Sequence, residues 1–363
     1  MLARTAATDR EPIRASLIWM GPVAVLCLVI VPPSAPAHHS VTAFYDRDVD
    51  ILEVEGIVTS VFWKNPHVGV SLLVDNEDGG QDEWQLEGGS VNTLIRRGFR
   101  QESVRIGDRV RGAGHPSRRN EHEIFVTNFL LADGEEIIFT DVDVPLRWTD
   151  RSPSSSAAAM TVAATAIGET PATGIFRVWS YGGTIHRLRR PLSVTPAALA
   201  ATAGWDPVTD DPSLRCEAPG MPNANLNPYP IEFIDDGDTI RVRIEEWDAN
   251  RVIHMDTVAA SVGQARSLLG YSVGRWEGRT LRIETTRVDA PYLDDSGTPM
   301  SENAEIVERF TLSEDDSRLT YEVVVMDSMY LAEPAIWDAA WIWLPGTEII
   351  PFECTLRSLS GGD

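Results

Sequence analysis

Short runs of alternating apolar and polar residues, separated by turn residues, recur through most of this sequence and constrain its fold more than any other feature. In the C-terminal half, runs such as DTIRVRIEEWD and TLRIETTRV are bounded by turn signals such as DDGD, WEGR and SEDDS. Alternation with a period of two places every second side chain on one face of a strand. Turns at intervals of roughly 8–12 residues are typical of sandwiches and barrels. We therefore predict a lipocalin-like antiparallel β-barrel over residues 174–363.

The N-terminal half shows the same strand pattern with one helical interruption. Three strand-like runs precede the segment SVNTLIRRG, in which Ser90 is a suitable N-cap and Gly98 a suitable stop. Further strand-like runs follow it. Three strands, a helix and more strands within about 100 residues is the order of an OB-type barrel. The whole chain is thus predicted to be all-β, with an OB-like barrel containing one short helix at residues 38–147.

A segment without aromatic residues separates the two halves. RSPSSSAAAMTVAATAIGETPAT, residues 151–173, is rich in Ser, Ala and Thr and nearly uncharged. Such a composition cannot bury enough apolar surface to fold alone. We predict a disordered linker over residues 148–173.

The N-terminus has the order of a secretory signal peptide. Arg4, Arg10 and Arg14 precede an apolar run at 15–31, and an A-P-A triplet ends at Ala37. An uncleaved membrane anchor is the alternative, but the run is short for a span of ~20 residues. We expect residues 1–37 to be removed, which leaves a periplasmic or secreted protein with no membrane span.

Charge and cysteine content narrow the possible functions. The net charge of −23 repels phosphate backbones, so nucleic acid is excluded as a partner. Two cysteines, Cys216 and Cys354, lie beyond the predicted leader, and in an oxidising compartment such a pair most simply forms one disulfide. The alternative, a catalytic thiol, lacks a histidine or asparagine in any recognisable local arrangement.

Motifs in the N-terminal half follow one another in a characteristic order: A-H-H-S, W-x-N-P-H, W-x-L-E-x-G, R-R-G, G-D-x-V and L-A-D-G. The matching residues are His38, His39 and Ser40; Trp63, Asn65, Pro66 and His67; Trp84, Leu86, Glu87 and Gly88; Arg96 to Gly98; Gly107 and Asp108; and Leu131 to Gly134. This order resembles a bacterial family of exported domains of unknown function. The resemblance supports export and the domain boundaries and implies no reaction.

The C-terminal half is similar to a second, uncharacterised group of exported bacterial proteins. The motifs that carry this resemblance lie at Cys216–Pro222, Pro228–Glu232, Ser272–Leu281, Val307–Phe310 and Glu353–Cys354. Members of the group tend to read P-H-S where this chain has Met300 between Pro299 and Ser301. Any role of that histidine is therefore absent here, and the resemblance supports only the boundaries, export and the cysteine pair.

The mature N-terminus is a candidate copper site. Cleavage after Ala37 would leave His38 with a free amine, and its amine and Nδ1 could chelate Cu(II), as in the histidine brace of copper monooxygenases. His67 in the N-P-H loop is the best third ligand, and His39 or Glu87 could complete the set. The alternative is that His38 and His39 are solvated and that His67 packs under its loop.

Strand parity supplies candidate ligand-binding residues in the second barrel. Glu246 and Glu308 fall on the apolar faces of their runs, where a carboxylate is costly unless paired or functional. Arg275 and Arg309 are the predicted partners, and His254 is a possible polar neighbour. Trp337 and Trp341, with Trp343, could line a cavity for an apolar ligand, although a tryptophan stripe can equally be core. The alternative for the two glutamates is an ordinary ion pair at a strand end.

One apparent hydrolase motif is better explained by glycines that serve as turn residues. Gly270–Gly274 reads G-x-S-x-G, but a turn and a strand follow Ser272, and the last histidine of the chain, His254, precedes it. A nucleophile elbow requires a following helix and a downstream base. We therefore do not assign Ser272 as a nucleophile.

Three functions follow from these patterns. The leading one is non-catalytic binding of a small apolar molecule in the second barrel, with the first barrel as an accessory module that could contact another exported protein. The second is copper binding by His38 and His67. The third is an acid–base enzyme, such as a cyclase, isomerase or hydratase, that uses Glu246, Glu308 or His254.

Overall fold

The computed structural model of the chain describes residues 41–140, 144–150, 174–181, 187–207, 209–227, 229–255 and 263–355. The predicted signal peptide, His38, His39 and nearly all of the predicted linker lie outside the described residues. Within the described ranges, no helix is long and apolar enough to cross a membrane.

The first barrel has OB topology, as predicted. Its strands run in the order β3-β2-β1-β4-β5, and a parallel β3–β5 pair closes the barrel. The short helix α2 lies between β3 and β4, where an OB fold places it. The elements are α1 Val41–Phe44, β1 Leu52–Phe62, β2 Gly69–Asp75, β3 Gln81–Glu87, α2 Val91–Arg96, β4 Arg109–Pro116, β5 Glu123–Leu130 and β6 Glu136–Ile138.

Local sequence signals in this barrel act as expected. The Ser90 hydroxyl accepts a hydrogen bond from the Thr93 amide at 3.1 Å and caps α2, and Gly98, with φ of +82°, follows the end of the helix. Between β4 and β5, a Cβ on Gly114 would lie 2.0 Å from the Phe125 carbonyl oxygen. Only glycine allows the two strands to approach this closely.

The described residues of the second half form a barrel of nine strands, in which all neighbours are antiparallel except the parallel β11–β12 pair. Pairing of β15 with β16 closes it, and β16 also forms a short antiparallel pairing with β8. The fold class predicted from alternation is therefore confirmed. Its elements are β7 Val178–Tyr181, β8 Arg187–Leu188, α3 Pro196–Thr202, β9 Ile231–Asp235, β10 Thr239–Ile244, β11 Ala249–Met255, β12 Tyr271–Glu277, β13 Thr280–Thr286, β14 Glu305–Leu312, β15 Arg318–Met326 and β16 Ala335–Ile342.

The C-terminal segment 348–355 joins the two barrels. The predicted disulfide is present: Cys354 is bonded to Cys216, with their Cα atoms 5.8 Å apart. Next to it, the Thr355 amide donates to the Asn65 carbonyl at 2.9 Å, and the Asn65 side chain donates to the Phe352 carbonyl. The Asn92 side chain donates to the Ile350 carbonyl at 3.0 Å. The N-P-H loop and α2 of the first barrel are thus held against a segment that is covalently tied to the second.

Candidate functional site

A cleft of about 460 Å³ lies where the two barrels meet. The first barrel contributes residues from α1 and the N-P-H loop, and the second contributes loops at one end of its strands. Its walls consist of Val41, Pro66, His67, Trp205, Asp211, Pro212, Ser213, Glu217, Ala218, Pro219, Gly220, Asn223, Asn227, Tyr229, Glu246, Trp247, Leu268, Ala290, Pro291, Tyr292, Asp294 and Asp295.

The cleft combines carboxylates with aromatic rings. Five acidic side chains and four aromatic ones line it, while no lysine or arginine is among the described lining residues. Glu217 is paired with Arg215, whose Nε lies 3.0 Å from Glu217 Oε1. Asp211, Asp294 and Asp295 form no ion pair with any described residue. The cleft therefore carries a net negative potential, which the acidic chain as a whole reinforces.

Asp295 is the carboxyl group whose ionisation the cleft changes most clearly. Desolvation by the surrounding walls, with the charges of Asp211 and Asp294, raises the pKa of Asp295 to about 6. The opposing influence is a hydrogen bond that Asn223 Nδ2 donates to Asp295 Oδ1 at 2.6 Å. Its side chain is still accessible to solvent in the cleft. A bound positive charge would relieve the repulsion that raises this pKa.

A close backbone contact shapes one wall of the cleft. A Cβ on Gly220 would lie 2.3 Å from Ala290 Cβ and 2.7 Å from the Leu268 carbonyl oxygen. The Met221 amide also donates to this Leu268 carbonyl at 2.9 Å. Glycine in the P-G-M-P segment thus lets three connections of the second barrel converge on one surface.

The turn after β10 links the cleft to the contact between the barrels. Glu245 is fully buried, accepts a hydrogen bond from Arg96 Nη1 at 2.6 Å and pairs with that guanidinium of α2. The next residue, Glu246, lines the cleft and accepts from Asn227 Nδ2 at 2.6 Å. Parity predicted Glu246 on the inner face of β10. This was wrong, because the strand ends at Ile244 and Glu246 begins a 3₁₀ turn.

The second half of the turn after β10 also connects the cleft to the contact between the barrels. Trp247 lines the cleft, and its ring centroid lies 5.2 Å from that of Phe352. The Asp248 carboxylate accepts from the Phe352 amide at 3.0 Å. Both Trp247 and Asp248 have left-handed backbones, with φ of +60° and +51°. Non-glycine residues adopt this conformation at a cost and concentrate at functional sites.

Glu308 lies inside the second barrel, and its partner is not one of those predicted. Arg251 Nη1 lies 2.9 Å from Glu308 Oε1, and both side chains are almost completely buried. The Tyr321 hydroxyl donates to Glu308 Oε1 at 2.9 Å, and Asn225 Nδ2 donates to the same oxygen at 3.1 Å. Burial and the Glu308 charge raise the pKa of Tyr321 well above its usual value. Glu308 is thus the acceptor of a buried polar network.

Arg275 and Arg309 lie on the outer surface of the barrel instead. Arg275 pairs with Glu277 at 3.1 Å and with Glu284 at 3.2 Å, all at half-exposed positions. Arg309 pairs with Glu277 at 2.9 Å. The prediction that they partner the two glutamates was wrong, because both arginines alternate onto the opposite face of their strands from the core residues.

The predicted tryptophan stripe lies in the core. Trp337 and Trp341 are buried, and the Trp341 ring packs against Phe310 and Tyr321. Trp341 Nε1 donates to the Tyr229 carbonyl at 2.9 Å. The structure thus places the stripe among packed rings. By contrast, His254 stacks on Tyr271 at 4.7 Å between ring centroids and lines a second cavity beside the cleft.

Ser272 has a structural environment, as expected. It lies in β12, is fully buried, and its hydroxyl accepts from Arg251 Nε at 3.0 Å. Gly270, with φ of +69°, is a turn residue as predicted, whereas Gly274 lies within β12, so the prediction was wrong for the second glycine.

His67 lies on the cleft wall among polar groups of the first barrel. Its Nδ1 is 2.9 Å from the Gly88 carbonyl oxygen, which requires a proton on Nδ1 and places the ligating lone pair on Nε2. Glu87 Oε1 is 3.6 Å from Nδ1. The Tyr45 hydroxyl lies 3.2 Å from both Glu87 and Glu123, and burial followed by their charges raises the pKa of Tyr45. Among the described residues, no three His, Cys, Asp or Glu side chains are placed to hold a metal ion.

Comparison with known proteins gives one partial match. A family of unknown function, DUF6152, matches residues 25–125. This range covers most of the first barrel and all of the N-terminal motifs except Leu131 to Gly134, and it leaves the second barrel and most of the cleft unmatched. No curated protein matches the chain. The class that the fold defines is thus a protein of two β-barrels, the first similar to a domain of unknown function, with a disulfide and a cleft at their junction.

Proposed function

We propose that this protein binds a small organic cation, without chemical conversion, in the cleft between its two barrels. The observation that carries the proposal is the lining: five carboxylates and four aromatic rings, with no described lysine or arginine. Negative walls raise the local concentration of cations. Aromatic faces attract cations through the ring quadrupole, and quaternary ammonium groups are bound in this way.

The cleft supports this proposal better than the barrel interior supports an apolar ligand. Rings and the Arg251–Glu308 pair pack the interior, whereas the cleft is open to solvent and three of its acids, Glu217, Asp294 and Asp295, are accessible. The first barrel contributes Val41, Pro66 and His67 to the cleft wall, in keeping with an accessory role. The disulfide supports an exported protein, because such bonds persist in oxidising compartments.

Titration with tetramethylammonium by calorimetry tests the proposal, because this cation has a fixed charge and no hydrogen-bond donor. We expect saturable one-to-one binding. Asp295→Asn should weaken it at least fivefold, since one charge near a cation contributes about 1 kcal/mol or more. Glu77→Gln, which removes an exposed charge from the β2–β3 turn, is the matched control and should leave affinity unchanged.

The contribution of the aromatic rings to cation binding is tested with a matched pair of variants at Tyr292. Tyr292 lines the cleft, and its ring lies 6.1 Å from that of Trp205. Tyr292→Leu removes the π face and should cost about 0.5–1 kcal/mol of binding free energy, whereas Tyr292→Phe should retain it. No saturable binding, or equal effects of Asp295→Asn and Glu77→Gln, would refute the proposal.

Copper binding through His67 is a second candidate, and one observation favours it. The hydrogen bond that Nδ1 donates to the Gly88 carbonyl orients the ring and fixes the tautomer with its lone pair on Nε2, a hydrogen-bonding pattern typical of metal-binding histidines. Val41, three residues after His38, lines the same cleft as His67.

The copper candidate is tested on protein whose N-terminus is verified by intact mass. Cu(II) titration followed by EPR should show tight one-to-one binding, which is lost when an extra alanine precedes His38 and in His67→Ala. His122→Ala, at an exposed histidine of the first barrel, is the control and should bind normally. Equal, weak binding by all forms would refute the candidate.

A further inference from the structure

A second cavity of about 520 Å³ adjoins the cleft. Ala218, Pro219, Trp247 and Leu268 line both cavities, so the two share these residues as a common wall. The second cavity is bounded by β11 and by the residues that lead into β12. A ligand seated in the cleft could therefore extend past Trp247 without leaving the protein surface.

The chemistry of the second cavity differs from that of the cleft. No carboxylate is among its described lining residues. Leu268 and Val252, which both line it, are 38% and 48% exposed, so two large apolar side chains of this cavity are open to solvent. His254 and Tyr271 add a stacked pair of rings. Arg251 also contributes, but its guanidinium is bound to Glu308 in the barrel interior.

Trp247 forms the wall between the acidic and the apolar cavity. Its left-handed backbone and its packing against Phe352 hold the indole at this boundary. Glu246, the preceding residue, lines only the cleft, and Ala249, two residues later, lines only the second cavity. The change from polar to apolar surface therefore occurs within one turn of the chain.

From this juxtaposition we propose that the ligand is an amphiphilic cation, whose charged head lies in the cleft and whose apolar tail passes Trp247 and Leu268 into the second cavity. The inference rests on the proposed function, because it takes the cleft as the site of the cationic head. It adds the chemical class of the rest of the molecule.

A series of alkyltrimethylammonium ions from methyl to octyl, each below its micelle concentration, tests the inference on the disulfide-intact chain. Affinity should rise with tail length by up to about fourfold per buried methylene until the second cavity is filled. Val252→Asn changes a residue that lines only the second cavity. It should flatten this dependence and leave the affinity for tetramethylammonium unchanged.

Ile106→Asn provides the matched control, because Ile106 is an exposed apolar residue of the first barrel that lines neither cavity. It should keep the full dependence on tail length. Measurable tetramethylammonium binding with no effect of tail length, or a dependence that survives Val252→Asn, would overturn the inference and leave the proposed function standing. If only long-chain ions bind and Asp295→Asn does not weaken them, the proposed function itself is overturned.

Discussion

Replacing Glu308 with glutamine would leave Arg251 as an uncompensated charge inside the second barrel. The glutamate is fully buried and the arginine almost so, and the carboxylate accepts hydrogen bonds from Arg251, Tyr321 and Asn225. Glutamine has one acceptor oxygen and an amide nitrogen that can only donate. Arg251 Nη1, Tyr321 and Asn225 donate to Oε1, and Arg251 Nη2 donates to Oε2, so an amide nitrogen in either position faces a donor.

The expected loss of stability follows from the burial of the Arg251–Glu308 pair. Removing one partner of a buried ion pair typically lowers the free energy of unfolding by about 3–5 kcal/mol. For a domain of 150–250 residues, each kcal/mol shifts the melting temperature by about 2–4 °C. We therefore expect Glu308→Gln to lower the melting temperature by about 6–20 °C. The double variant Arg251→Met/Glu308→Leu should cost less than the sum of its two single changes, because it leaves no buried charge.

Thermal unfolding of the disulfide-intact protein at pH 7, followed by circular dichroism, measures the effect. Glu314→Gln, an exposed change of the same kind, should alter the free energy of unfolding by no more than about 0.5 kcal/mol. A shift for Glu308→Gln as small as that of the control, or full additivity in the double variant, would refute the assignment of Glu308 as a structural acceptor. It would also reopen its role as an acid–base group.

Three further predictions concern the cleft and the junction of the barrels. Tetramethylammonium affinity, measured by calorimetry, should rise as pH increases through about 6, because the cation favours ionised Asp295, and Asp295→Asn should flatten this profile. Reducing the Cys216–Cys354 bond should lower the melting temperature, since closing so long a loop contributes about 5 kcal/mol in the chain-entropy model. It should also weaken tetramethylammonium binding, because Cys216 lies beside the cleft wall; an unchanged affinity would show that the wall does not depend on the bond. Arg96→Ala should lower the free energy of unfolding by about 3 kcal/mol, because it strands buried Glu245. Arg105→Ala, at an exposed arginine of the same barrel, should change it by no more than about 0.5 kcal/mol in the same thermal assay.

Strand periodicity was sufficient to predict both barrels, because a barrel requires one buried face per strand and alternation reports that face directly. In β10, Ile240, Val242 and Ile244 are buried as the pattern indicates. The same reasoning placed Glu308 inside but could not identify its partner. Parity assigns a side chain to a face, whereas the contact between β14 and β11 runs across the barrel between strands that are not neighbours. The sequence did contain one indication that Arg251 is this partner: it shares the parity of buried Ile253 on β11 and so faces the barrel interior.

The cleft could not be predicted in this way. Its acids and rings come from three separate connections of the second barrel: the segment between β8 and β9, the turn after β10 and the segment after β13. Loop residues have no period that reports their direction, and their proximity depends on how the strands close. Trp205, Tyr292 and Asp295 were therefore missed, although Trp247 stood next to the predicted Glu246.

The contacts of the turn Glu245–Asp248 imply that the shape of the cleft depends on both barrels. Glu245 binds Arg96 of the first barrel, Asp248 binds the amide of Phe352 on the joining segment, and the two residues between them line the cleft. A change that separates the barrels must therefore move Glu246 and Trp247, even if each barrel stays folded. The family that matches residues 25–125 covers only Val41, Pro66 and His67 of the cleft wall. The first barrel alone lacks the carboxylates and rings on which cation binding would depend, so the proposed function cannot be transferred to other chains from that match alone.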